Sequence, residues 1–164
     1  LEFSNYQFNQ ETLLLTFLLF FLVSLNEEIL FRGYILNNLL TTRLNKYMAL
    51  LISAILFAIF HAFNANLSLV GMINLLLAGI LLGSTYIFTQ NLWFPISLHL
   101  FWNFFQGPVF GYAVSGQNID SMTAIELTGD NLMNGGKFGF EGSIVCTVLS
   151  VIVIGLILYY YNRK

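Results

Sequence analysis

Charge is what this chain lacks most. Only 9% of its 164 residues are charged, against about a quarter in an ordinary soluble domain. Nothing from Thr12 to Leu25, and nothing from Tyr47 to Ile119, is Asp, Glu, Lys or Arg. With 57% hydrophobic residues and a mean hydropathy of +0.77, the chain reads as a polytopic membrane protein. A net charge of −2 with no basic patch excludes a nucleic-acid partner. A single cysteine, Cys146 in an apolar run, excludes a disulfide framework and a thiolate metal site, and reads as packing or lipid-facing. There is no Gly-x-Ser-x-Gly and no Ser–His pair of the serine-hydrolase type. Both aspartates, Asp120 and Asp130, fall in a polar segment, which excludes an intramembrane aspartyl dyad. No His-Glu-x-x-His, repeat or low-complexity tract is present. The chain opens at Leu1 without the charged start of a signal peptide, which leaves room for N-terminal helices upstream of this piece.

What is there is a succession of apolar runs. Leu1 to Gln10 reads as an interfacial lead-in. Thr12 to Leu40 is 29 residues long; as one helix it would span about 43 Å, more than a hydrocarbon core of ~30 Å. It is therefore expected to tilt, protrude or break, with Gly33 the cheapest breaking point. Met48 to Phe60 follows, then Leu67 to Phe88, in which Gly79 and Gly83 form a small-xxx-small pair that permits close helix contact. A shorter helix over about Pro95 to Gln106 begins with a proline in its first turn. Residues 107–139 are rich in Gly, Ser and Asn and read as an extramembrane loop, long enough to be a lid or recognition loop. Gly142 to Tyr161 is a last span, closed by Arg163 and Lys164. The fold class expected is all-α, a polytopic transmembrane bundle of about five to six helices, in a single membrane-embedded domain over 1–164. Arg43, Lys46 and the basic C-terminus then share the cytoplasmic side by the positive-inside rule.

The exception to the absence of charge is Asn26-Glu27-Glu28-Ile29-Leu30-Phe31-Arg32-Gly33. An ionisable group in a spanning segment costs at least ~2.5 kcal/mol on insertion scales and usually has a task. On a helix Glu28 and Arg32 stand at i,i+4 and pair, whereas Glu27 points about 100° away, with no partner in reach on that face. The pair reads as structural and Glu27 as the group left for chemistry. Both histidines lie in the charge-free block, in Phe57-x-x-x-His61 and His99-x-x-x-Asn103.

Together and in this order, Glu-Glu-x-x-x-Arg, Phe-x-x-x-His and His-x-x-x-Asn resemble the motifs of the CAAX protease and bacteriocin-processing (CPBP or Abi) family of intramembrane proteases, over about Thr12 to Gln106. The resemblance implies a glutamic endopeptidase of the bacterial cell membrane, acting on a membrane-associated, prenylated or leader peptide. Glu27 would be the general base and His61 would help to orient and activate the same water. His99 and Asn103 would hold the oxyanion, while Glu28 and Arg32 hold the architecture and Phe57 packs the pocket. The chemistry is coherent: a desolvated carboxylate takes up a proton more readily, and preplaced donors gain most in a dry site. No cofactor is expected, because Asn103 shares a face with His99, and because a zinc ligand usually gives its second ring nitrogen to a carboxylate or carbonyl while no intramembrane carboxylate is spare once Glu27 is used. Zinc on the two histidines and Glu27 is the alternative. A non-catalytic scaffold or bacteriocin self-immunity protein of the same family is a second reading, and a proton-coupled transporter using Glu27 a third.

Overall fold

The computed structural model describes residues 2–6, 9–126, 129 and 132–163. Five helices build an all-α bundle. The first, α1, runs over Gln10–Leu40. It starts at Asn9, whose side chain accepts from the backbone N–H of Glu11 and Thr12 at 3.1 and 3.2 Å, two of the donors that a helix start leaves orphaned. Asn45 caps α2 (Lys46–Phe60), Ser68 caps α3 (Leu69–Thr89) and Ser143 caps α5 (Ile144–Asn162) in the same way. The fourth helix, α4, covers Trp93–Phe104, with Pro95 in its first turn.

α1 does not break at Gly33. Over Ile29–Leu36 it widens into a π-helix, in which the N–H of Asn37 reaches back five residues to the carbonyl of Arg32. Widening preserves backbone pairing where a break inside the bilayer would leave groups unpaired. Within this segment the Phe31 carbonyl also accepts from the Ser53 hydroxyl of α2 at 2.9 Å. A second π-helical turn, Phe105–Val109, ends α4 and redirects the chain.

α3 is the centre of the bundle: 56% of its most apolar stretch is buried, against 17% for α1 and for α5. These three are long and apolar enough to cross a membrane, and the outward leucines and valines of α1 and α5 form the kind of apolar surface that lipid covers. α2, with 15 residues, is shorter than a full span. Gly79 lets α3 approach the backbone of α2, since a Cβ there would lie 2.8 Å from the Cα of Ala54. α4 packs on α1 through Phe17, whose ring meets Phe104 edge-on at 5.3 Å. At the end remote from the loop, Tyr47 Oη donates to Asn162 Oδ1 at 2.8 Å, so the start of α2 and the end of α5 share one side.

The lead-in differs from expectation. Glu2–Tyr6 is a strand, β1, paired antiparallel with β2 (Thr123–Glu126) of the long loop, which ties the start of the chain to that loop. The loop itself is built of tight turns, among them a bridge between Val114 and Gln117. Leu1, Asp130 and Lys164 lie outside the described residues.

Candidate active site

The site begins with adjacent carboxylates that a helix must point in different directions. Glu28, with none of its surface exposed, faces the bundle interior, where its Oε1 accepts from Arg32 Nη1 at 2.8 Å. The guanidinium also donates from Nη2 to the carbonyl of Gly79 at 3.1 Å, and stacks 4.6 Å over the ring of Phe57. The i,i+4 pair read from sequence is present. It has a third member that sequence did not suggest: Glu28 Oε1 also accepts from His99 Nδ1 at 2.9 Å. Gly79 likewise does more than allow contact, because the close approach brings its carbonyl to the arginine.

Glu27 keeps 19% of its side chain exposed. Its Oε2 lies 3.6 Å from His61 Nε2 and 4.0 Å from His99 Nε2, too far for direct hydrogen bonds and close enough to share a water. Glu27 thus has two neighbours from other helices where the sequence showed none on its own. His61 sits at the last turn of α2 with Nδ1 2.8 Å from the carbonyl of Phe57, its i−4 neighbour. A carbonyl only accepts, so Nδ1 carries a proton and Nε2 is turned to Glu27. His99 is fixed by the same logic, with Nδ1–H on Glu28 and Nε2 toward Glu27. Asn103, one turn beyond His99, is buried, and its amide makes no hydrogen bond among the described residues. Phe57 meets Phe31 edge-on, and its ring lies 4.5 Å from that of His61.

Two cavities adjoin these residues. One of about 270 Å³, against α1 and the loop, is lined by Phe20, Glu27, His61, His99 and Asn103. A smaller one of about 60 Å³ lies between α3, α4 and α5, lined by Leu75, Ala78, Trp102 and Cys146, with Ser115 and Glu141 also on its wall. Next to it an aromatic groove of about 450 Å³ runs along Phe101, Trp102, Phe105 and Tyr112. Burial raises the Tyr112 phenol above its ordinary value, so that group stays uncharged.

Outer partners for the two imidazoles are present, contrary to the expectation that no carboxylate is spare: Glu28 serves His99 as well as Arg32, and the Phe57 carbonyl serves His61. Both rings are held as metal ligands often are. Among the described residues, no group of three His, Cys, Asp or Glu side chains is arranged to hold a metal ion.

The family of type II CAAX prenyl endopeptidases, Rce1-like, matches residues 9–105, more than half of the chain. The chain belongs to the Rce1-like family. No curated protein and no solved structure matches it. All seven residues singled out in the sequence fall within the Rce1-like stretch, whereas the loop and α5 fall beyond it. Membership puts the chain among membrane-embedded proteases. Sequence reading passed over Ser53, Ser115 and Glu141. A serine in the otherwise apolar run Met48 to Phe60 was the only available sign of the first, and the other two lie in the long loop or just beyond it, without periodicity.

Proposed function

We propose that this protein is an intramembrane endopeptidase that hydrolyses a peptide bond of a membrane-associated peptide, prenylated or of the leader type, or of a membrane protein, without a metal. The observation that carries this reading is the convergence of a half-sheltered carboxylate on two imidazole Nε2 atoms of fixed orientation.

The steps follow from the donors and acceptors. Glu27 removes a proton from water while the His61 Nε2 lone pair accepts the other O–H and aims the oxygen at the carbonyl carbon. His99 already gives Nδ1–H to Glu28, so it donates to the oxyanion as an imidazolium, through Nε2–H. The Asn103 amide supplies the second oxyanion donor, a part an asparagine plays better than that of a zinc ligand. Collapse of the intermediate breaks the C–N bond, and the proton held by Glu27 passes to the leaving amine. Peptide-library cleavage by purified protein, read by mass spectrometry, tests the reading. Products are expected with the parent and none with Glu27→Ala, and EDTA or phenanthroline should leave cleavage intact. Activity lost on chelation and restored by zinc would replace the metal-free assignment, and cleavage by Glu27→Ala would remove Glu27 from the chemistry.

A further inference from the structure

The two cavities beside the site have four residues in common, and three are His61, His99 and Asn103. The fourth is Ser115, which lies beyond the stretch that the family matches. We propose that Ser115 is a substrate-positioning residue whose hydroxyl oxygen accepts a backbone N–H of the peptide beside the scissile bond. The proposal rests on the peptidase reading of Glu27 and its partners.

Ser115 has φ +48°, a left-handed conformation that a side chain rarely adopts unless its surroundings impose it. They do so here. Its N–H and its hydroxyl both donate to Glu141 Oε2, at 2.8 and 2.9 Å. On either side, Val114 and Gln117 exchange backbone hydrogen bonds at 2.9 Å, and the N–H of Gly116 donates to the Phe138 carbonyl at 3.0 Å. Glu141 is itself anchored to the bundle, because Asn74 of α3 donates to the carbonyls of Glu141 and Ser143 at 2.6 and 2.8 Å. An outer loop is thereby fastened so that one serine stands where the cavities meet.

An ionised carboxylate only accepts, so the Ser115 O–H is committed to Glu141 and the oxygen keeps its lone pairs, to which nothing donates among the described residues. The site is short of that function. A peptide lying across it brings N–H groups out of water, and each needs an acceptor. Glu27 and His61 are occupied with the water, and His99 and Asn103 with the carbonyl oxygen. Ser115 supplies an acceptor that cannot rotate away.

The test uses Ser115→Gly, which accommodates the left-handed backbone and removes only the side chain. Binding is measured in a Glu27→Gln background, so that the peptide cleaved best in the library survives. The same peptide is then remade with its backbone amides replaced one at a time by esters. Ser115→Gly should weaken binding of the amide peptide about five- to tenfold, the effect of one lost neutral hydrogen bond. One ester position should lose the same factor when Ser115 is present and nothing further in Ser115→Gly. Equal affinity of the two proteins, ester effects independent of Ser115, or a Ser115→Gly protein that does not fold (a loop clamp and no more) would overturn the proposal. A parent protein that cleaves no library peptide defeats the peptidase reading instead, and cleavage that persists in Glu27→Gln removes Glu27 from the chemistry; both are seen before any Ser115 variant is made.

Discussion

Neighbouring carboxylates on α1 meet different fates because a helix turns them about 100° apart. Glu28 is sealed between Arg32 and His99, and Glu27 keeps a side on the cavity. Removing one partner of a buried pair strands the other charge, at a cost of about 3–5 kcal/mol. Arg32→Ala should therefore lose folded protein as well as activity, measured as a lower thermal midpoint in detergent; an Arg32→Ala protein as stable and active as the parent would remove the pair from the architecture. Asn103 tests the other half of the site. Its amide has no structural hydrogen bond among the described residues to lose, so Asn103→Ala should fold normally and lower kcat by ~10²–10³, the size of one oxyanion donor, with KM little changed. A variant that raised KM at unchanged kcat would make Asn103 a binding residue instead.

At the scale of elements, the helices and the three motifs were legible because apolar run length and i,i+4 spacing are local properties of the chain. Glu28, Arg32, Phe57 and His61 could be related in this way, each to a partner one turn off. What was hidden lies between helices. The bonds from His99 to Glu28, from Ser53 to the Phe31 carbonyl and from Arg32 to Gly79 join positions 71, 22 and 47 residues apart. The π-helix had no local sign either, and the serine that bonds to its Phe31 carbonyl comes from α2. Pairing of β1 with the loop also depends on the tertiary fold, with no alternation to announce it. Gly79 shows how one contact serves both packing and site. A side chain there meets the backbone of Ala54 and pushes the Gly79 carbonyl off Arg32. Gly79→Val should cost about 1–3 kcal/mol by overpacking and depress activity further, whereas Gly155→Val on α5, with open space around it, should do neither. Equal effects from the two substitutions would show that the α2–α3 approach is not special.

At the scale of the molecule, the site has a side. Tyr47 and Asn162 join the start of α2 to the end of α5, and Lys46 lies 4.8 Å over Phe88 near the end of α3. That end carries Arg43, Lys46 and Arg163, while the loop over the site holds one basic residue, Lys137. We propose from the positive-inside rule that the basic end is cytoplasmic, which turns the cavity with Glu27, under residues 114–119, to the opposite face. The consequence is chemical, because a peptide reaching the site from water would come from outside the cytoplasm. That favours a leader or secreted peptide over one prenylated in the cytosol. The test uses Cys146→Ser, which removes the chain's one thiol, and adds a cysteine at either end. In intact cells an impermeant maleimide should label Asn118→Cys, in the exposed loop, and should reach Thr42→Cys, in the exposed connection before α2, only after permeabilisation. The reverse pattern would turn the site to the cytoplasm and restore prenylated peptides as the favoured substrate. The same cells should cleave added peptide without being opened if the first pattern holds.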